Sequence, residues 1–215
     1  DDKNMEVVEM VLTRKINKEL VGNINKLGGK AAGISGKDGN LLVAEKKLMM
    51  VDGEEVDLGR VGKVKKINTE ILETLSKAGY IPVVSPVAVD EDGNSYNINA
   101  DYAAGELAGA LNADKFILLT NVRGVMRDIN DPSSLYSKLY YNEVHKLMNG
   151  GIIVGGMLPK VEACMVAINA GVSRSHILDG RIKHSLLLEI FTDEGIGTMI
   201  VSKTKEERLK KGSEN

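Results

Sequence analysis

The feature that most constrains this chain is an alternation of two hydrophobic periods. Runs with apolar residues three or four apart give way repeatedly to short, almost unbroken apolar runs. Met5, Val8, Val11 and Leu12, continued by Leu20, Ile24 and Leu27, mark a long first helix, with Asp2 or Asn4 placed to cap it and Gly28-Gly29 to end it. Thr69 is placed to cap a second helix carrying Ile71, Leu72, Leu75 and Ala78, which closes at Gly79. Ile81-Pro82-Val83-Val84-Ser85 and Phe116-Ile117-Leu118-Leu119 read as strands covered on both faces. Between them, 100–111 is a helix of small residues suited to close packing on a sheet, and Asp90-Glu-Asp-Gly-Asn94 is a hairpin tip. Asn142 opens a further helix with Val144, Leu147 and Met148. Leu158–Ala170 forms another, with Pro159 in a first turn that does not need its N–H. The segments 175–178 and 197–201 supply the last strands.

Only 30–67 departs from this rhythm. Its apolar runs are separated by Gly-Lys-Asp-Gly and Asp-Gly-Glu, and it reads as a set of hairpins. Alternating helices and buried strands predict an α/β fold, a three-layer αβα sandwich around a mostly parallel sheet. No Pro/Ser linker divides the chain, so any lobes are expected to share one sheet.

Composition narrows the function. Lys and Arg number 28 against 30 Asp and Glu, so no global basic field points to nucleic acid, and the scarcity of aromatics (4%) removes a base-stacking platform. No apolar run approaches the roughly 18 residues of a membrane span. A single cysteine, Cys164, excludes an intrachain disulfide and a CxxC site, and the three histidines lack HExxH or HxH spacing. No protein-held metal is expected, and with no signal-peptide pattern a reducing, cytoplasmic setting fits best.

Glycine clusters at 33–39, 150–151, 155–156 and 195–197, in neither GxGxxG nor GxxxxGK[ST] spacing, so dinucleotide-fold and P-loop readings fail. In Gly155-Gly156-Met157-Leu158-Pro159-Lys160 a glycine pair leads into a helix start with a lysine in its first turn. Helix N-termini favour anions and disfavour cations, so Lys160 is either a solvated surface lysine or the partner of a bound anion. Asn97 and Asp101 are four apart and share a face if the helix has begun by then, with Asn99 available as cap. They read either as an N-cap cluster or as polar groups beside a phosphate site. Ser35-Gly36-Lys37-Asp38-Gly39 is either a plain turn or a substrate lid, and Cys164 reads as packing.

Taken together these stretches resemble the amino acid kinase superfamily, and within it the N-acetylglutamate kinases of arginine biosynthesis. The resemblance rests on Met5-Glu-Val-Val-Glu-Met-Val-Leu12, Gly33-Ile-Ser-Gly-Lys-Asp-Gly39, Ala78-Gly-Tyr-Ile-Pro-Val-Val-Ser-Pro86 and Tyr96-Asn-Ile-Asn-Ala-Asp101. It continues through Gly151-Ile-Ile-Val-Gly-Gly-Met-Leu-Pro-Lys160, Ile177-Leu-Asp-Gly-Arg181 and Leu187-Leu-Glu-Ile-Phe-Thr-Asp-Glu-Gly-Ile-Gly-Thr198, in the family's order. It implies phosphoryl transfer from ATP, with Mg2+ carried mainly by the nucleotide phosphates, to the side-chain carboxylate of N-acetyl-L-glutamate. Lys160 is implied as the catalytic lysine, Asp101 as the organiser of catalytic lysines and Asn97 as the acetylglutamate ligand. Thr120, Asn121, Gly124, Gly156 and Met157 are implied at the nucleotide, with Asn121 standing where the family more usually has Asp.

The resemblance also implies a homo-oligomer and, through the C-terminal words, arginine as an effector. His176 would line that pocket, Glu189 would meet the guanidinium, and the Gly195-Ile-Gly197 turn would offer N–H groups to the α-carboxylate. It divides the chain into the rest of a substrate lobe over 1–98, a nucleotide lobe over 99–203 and a polar tail over 204–215. The family's opening βαβα portion, with a second lysine, glycine-rich substrate loops and a carboxylate-clamping arginine, is expected to lie ahead of Asp1, so the chain as written is expected to bind nucleotide and turn over little. The alternatives are another superfamily kinase, for carbamate or for glutamate at its 5-carboxylate, and a non-catalytic nucleotide- or arginine-binding fragment.

Overall fold

The structure, a computed structural model, describes residues 2–192 and 195–202. The tail expected over 204–215 lies outside them, as do Lys203 and the Asp193-Glu194 pair of the last family word. The chain divides into two compact units, Asp1–Ala103 and Ala104–Asn215.

The first unit opens on one long helical run: α1 (Asp2–Glu9), a π-helical segment (Met10–Ile16) and α2 (Asn17–Lys26). Strand β1 (Ala31–Ser35) follows, then the hairpin of β2 (Leu42–Val51) and β3 (Glu54–Ile67). Asp52 and Gly53, both at positive φ, make its tip, the turn whose twist matches that of paired strands. Next come α3 (Glu70–Lys77), β4 (Ile81–Ser85), β5 (Val87–Val89) and β6 (Ser95–Ile98), the last two joined by the 90–94 tip, and then α4 (Ala100–Ala110). Strands β1 and β4 pair in parallel with Ser35 opposite Ser85, while β2, β3, β6 and β5 close into a small barrel.

The second unit takes the rest of α4 and adds β7 (Lys115–Thr120), β8 (Lys138–Tyr140), α5 (Tyr141–Asn149), α6 (Leu158–Ala170), β9 (Arg174–Asp179), α7 (Ser185–Phe191) and β10 (Thr198–Val201). Its sheet runs in the order β7-β9-β10-β8, parallel except between β9 and β10. Its core gathers Phe116, Leu118, Val144, Val161, Cys164, Ile168, Ile177 and Ile200. Helix α6 is buried on most sides, which is why its apolar residues show no single stripe. Each large aliphatic side chain so buried stabilises by about 1.5–3 kcal/mol.

The chain is thus α/β, but several local expectations change. The described strands form three sheets, not one, because the long β2–β3 hairpin closes on β5–β6 instead of extending the β1–β4 pair. Residues 31–35 form a parallel strand, not part of a hairpin. Strands β4 and β7 are not covered on both faces: Ile81 is 49% and Leu119 52% exposed. The polar-looking β9 is buried along nearly its whole length, as the short β5 is. Thr69 makes no side-chain cap; its hydroxyl donates to Glu73 Oε1 at 2.7 Å. Asn97 lies on β6, ahead of the helix, so it does not share a helical face with Asp101. Within the second unit, α4 packs closely on helix α6, where a Cβ at Gly105 would sit 2.6 Å from the Ala163 carbonyl oxygen, and its Ala108 joins the core that holds Phe116 and Leu118 of β7.

Candidate active site

In the second unit, β7 and β9 are parallel neighbours with Thr120 in register with Asp179, so both carboxyl ends reach one edge of the sheet. Ligands of open α/β sheets collect at such an edge. Asp179 is buried and grips Arg181: the Arg181 backbone N–H, Nε and Nη2 donate to its carboxylate at 3.0, 2.9 and 2.8 Å. These bonds from Arg181, side chain first, hold the Asp179 carboxyl down to about 2, and the nearby Arg123 adds to the effect. The Gly180 N–H donates to the Thr120 carbonyl at 2.8 Å and ties the two strand ends together.

The chain after β7 and the turn before α6 meet around a cavity of 540 Å³. Its wall is largely apolar, from Val122, Val125, Met126, Ile152, Val154 and Met157, with Gly124, Arg127 and Asp128 also lining it. Gly124 is pressed against Thr198, whose buried hydroxyl accepts the Val125 N–H at 2.8 Å, so this loop is fastened to β10. Of the nucleotide residues expected from sequence, Gly124 and Met157 line the cavity. Thr120, Asn121 and Gly156 are not among its lining residues, although Asn121 adjoins Val122 and Gly156 adjoins Met157, which are. Residues 155–157 make a single tight turn that runs directly into α6, which places the half-buried Lys160 in the first turn of that helix.

A second cavity in this unit, of 420 Å³, is lined by His176, Glu189 and Gly195 with Lys115, Lys138 and Arg174. Glu189 lies 2.7 Å from His176 Nδ1, and both side chains are almost wholly buried. The Glu189 carboxylate also accepts the backbone N–H groups of Ile196 at 2.8 Å and Gly197 at 3.3 Å. The bond to His176, helped by these two N–H groups, holds the Glu189 carboxyl below the usual carboxylate range although burial acts the other way. One sequence expectation is corrected here: the Gly197 N–H is engaged by Glu189 and is not held open for a ligand carboxylate. Among the described residues His176 Nε2 is buried without a partner.

In the first unit, the expected N-cap is present: Asn99 Oδ1 accepts the N–H groups of Asp101 at 3.0 Å and Tyr102 at 3.2 Å. That places Asp101 in the first turn of α4, where the helix dipole favours a carboxylate. Asn97 sits in the barrel, in register with Val61 on β3 and Val87 on β5.

The profile of the amino acid kinase family matches residues 1–179. The chain belongs to the amino acid kinase family. Within it, the chain is 53% identical over 204 residues to the acetylglutamate kinase of Methanococcus aeolicus and 55% identical over 205 residues to that of Moorella thermoacetica. It is 56% identical over 200 residues to that of Caldanaerobacter subterraneus. These matches take in 93–94% of this chain and span 69%, 69% and 65% of the respective relatives. Among solved structures, smu.665 from Streptococcus mutans aligns with a TM-score of 0.75 at 26% identity, over 94% of this chain and 74% of that one. The carbamate kinase of Giardia aligns with a TM-score of 0.67 at 17% identity, over 92% of this chain and 72% of that one, a likeness of fold.

In this amino acid kinase chain, sequence reasoning passed over the Asp179–Arg181 pair, although Asp-Gly-Arg at the end of a strand is the signal for a carboxylate gripping an arginine two residues on. It also passed over Glu9 and Ser95, which flank Lys37 and whose link to it no local spacing reveals. Among the described residues no helix is long and apolar enough to cross a membrane.

Proposed function

We propose that the chain carries the acetylglutamate kinase reaction: transfer of the ATP γ-phosphoryl group to the side-chain carboxylate of N-acetyl-L-glutamate, giving N-acetyl-glutamyl phosphate in arginine biosynthesis. The observation that carries this reading is identity of 53–56% to acetylglutamate kinases along almost the whole chain. In the step, a carboxylate oxygen forms a bond to the γ-phosphorus, the bond to the bridging oxygen breaks, and ADP leaves with that electron pair. The carboxylate is already ionised, so no general base is needed, and catalysis reduces to positioning and neutralising charge in flight.

The residues divide that work. The apolar cavity beside Gly124 and Met157 suits a nucleotide base. Lys160, in the first turn of α6 where the helix dipole favours anions, suits the departing phosphates. Arg123 adds positive charge at the same sheet edge, where the charge of Arg181 is balanced by Asp179. Mg2+ arrives on the nucleotide phosphates; Asp179, committed to Arg181, is not the group that holds it. Asn97 binds acetylglutamate and Asp101 orients the catalytic lysines.

Lys160→Met tests this directly. In a version extended to the relatives' length, turnover is expected to fall by orders of magnitude while MgATP still binds, because the lost charge matters most in the transition state. Near-normal turnover would remove the assignment. Asn97→Ala should weaken acetylglutamate binding, and Asp101→Asn should lower turnover with nucleotide affinity little changed.

Arginine is proposed as an effector at the cavity of His176 and Glu189. The support is a buried, ionised carboxylate with cations around it: Glu189 suits the guanidinium, and Lys115, Lys138 and Arg174 suit the α-carboxylate. A homo-oligomer is proposed from the exposed apolar side chains of the first helical run, Val7, Met10, Val11, Ile16 and Leu20. A cytoplasmic setting is part of the same reading.

A further inference from the structure

The carboxyl ends of β1 and β4 form a second sheet edge of the kind that gathers ligands, in the first unit, where Ser35 and Ser85 are both buried. Among the residues by which the opening helical run bonds to the rest of this unit are three spaced four apart, Glu9, Thr13 and Asn17. Glu9 Oε1 accepts from Lys37 Nζ and Glu9 Oε2 from Ser95 Oγ, both at 3.0 Å. Thr13 Oγ1 lies 3.0 Å from Ser85 Oγ, and Asn17 Nδ2 donates to the carbonyls of Ile34 at 3.2 Å and Val83 at 2.8 Å. In a regular α-helix, side chains four apart drift by about 40° at each step. The π-helical turn over Met10–Ile16 winds less per residue and takes back that drift, which keeps Glu9, Thr13 and Asn17 in one row.

Lys37 joins this row to the barrel. Its ammonium donates to Glu9 at 3.0 Å and to Ser95 Oγ at 2.9 Å, with about a third of each charged side chain exposed. Ser95 and Asn97 alternate with the buried Tyr96 and Ile98, so they share the opposite face of β6, about 6–7 Å apart. A cavity of 360 Å³ lined by Glu6, Glu9, Met10, Thr13 and Arg14 opens beside the network.

We propose that Lys37 is a positioning residue of the acyl-acceptor site: held between Glu9 and Ser95, it fixes the face of β6 that presents Asn97 to acetylglutamate. This rests on the assignment of Asn97 to the acceptor. Without the ammonium, Glu9 keeps only Ser95, the turn over 35–40 loses its tie to α1 and β6, and Asn97 is presented less uniquely.

The test compares wild type, Lys37→Met, Lys37→Arg and, as a control, Lys46→Met, which breaks only an exposed pair with Asp57. Calorimetry with N-acetyl-L-glutamate and with MgATP, and amide exchange of the ligand-free chain, are the readouts. Lys37→Met should weaken acetylglutamate binding about tenfold, the scale of a lost charged hydrogen bond. It should also speed exchange over 95–98 and leave MgATP affinity unchanged, which shows that the variant is folded. Lys37→Arg should recover part of the loss and Lys46→Met should match wild type. Unchanged acetylglutamate affinity or unchanged exchange in Lys37→Met overturns the role of Lys37 alone. Wild type that binds MgATP and not acetylglutamate overturns the acceptor assignment and the role of Lys37 with it.

Discussion

Helix α4 gives a prediction whose sign depends on packing. Gly105 and Gly109 are helical glycines, and replacing such a residue by alanine normally stabilises a helix by about 1 kcal/mol. Here α6 is in the way. A Cβ at Gly105 would lie 2.6 Å from the Ala163 carbonyl oxygen and 3.3 Å from its carbon. Ordinary contact between carbon atoms is about 3.5–4.0 Å. The obstacle is backbone, so no side chain can swing aside and the helices must separate by about 1 Å. Overpacking of that kind costs about 1–3 kcal/mol. The propensity gain offsets part of this, and Gly105→Ala should lose about 1–2 kcal/mol net. Gly22 is the internal control: it is an exposed helical glycine in α2 with nothing within 4 Å of its ideal Cβ. Gly22→Ala should gain about 0.5–1 kcal/mol. At Gly109 the obstacle is a side chain, the Ala170 Cβ, so Ala170→Gly should relieve Gly109→Ala in a double-mutant cycle and should not relieve Gly105→Ala. Urea unfolding followed by circular dichroism measures all of these as shifts of midpoint at constant slope. A rise in midpoint for Gly105→Ala equal to that for Gly22→Ala would refute the packing argument.

Two further outcomes follow from the charges. The Asp179 carboxyl is lowered in the folded chain from 3.8 to about 2, so its contribution is present above pH 4 and is lost as pH falls between those values; Asp179→Asn should flatten the acid limb of stability between pH 4 and 2, and an unchanged limb would contradict the Arg181 grip. Titration with L-arginine should show saturable binding that is lost in Glu189→Ala; equal binding by both would place arginine elsewhere, and no binding by the wild type would remove the effector reading.

What could be read from the sequence followed how local the governing interactions are. Helix α6 was legible to the residue because Pro159 and the Gly171 stop act within a turn of its ends. The 90–94 tip and the Asn99 cap were legible for the same reason. Strand β1 was not, because Ala31-Ala32-Gly33 carries little strand preference. What holds it is parallel pairing with β4 and the Asn17 side chain, which crosses so close to Gly33 that no Cβ would fit. Strand β9 was legible as a strand over 175–178, but the depth of its burial was not: its polar residues are buried because each finds a partner, Ser175 with the Cys164 carbonyl, His176 with Glu189 and Asp179 with Arg181. Helix α7 hid because nearly every residue after Ser185 is apolar, which leaves no period to read.

The candidate site divides in the same way. Lys160, Gly124 and Met157 lie in contiguous stretches and could be read from them. The Lys37 network could not, since its members are separated by 28, 58 and 86 positions and only the fold brings them together.

The most direct test of the phosphoryl-transfer reading is an acceptor panel with hydroxylamine present. Acyl phosphates are trapped as hydroxamates, and the product accumulates even where turnover is slow. With MgATP, the account predicts hydroxamate from N-acetyl-L-glutamate, matched by ADP, and none from L-glutamate or carbamate. Hydroxamate from L-glutamate, or ADP formation on carbamate, with N-acetyl-L-glutamate inert would contradict it.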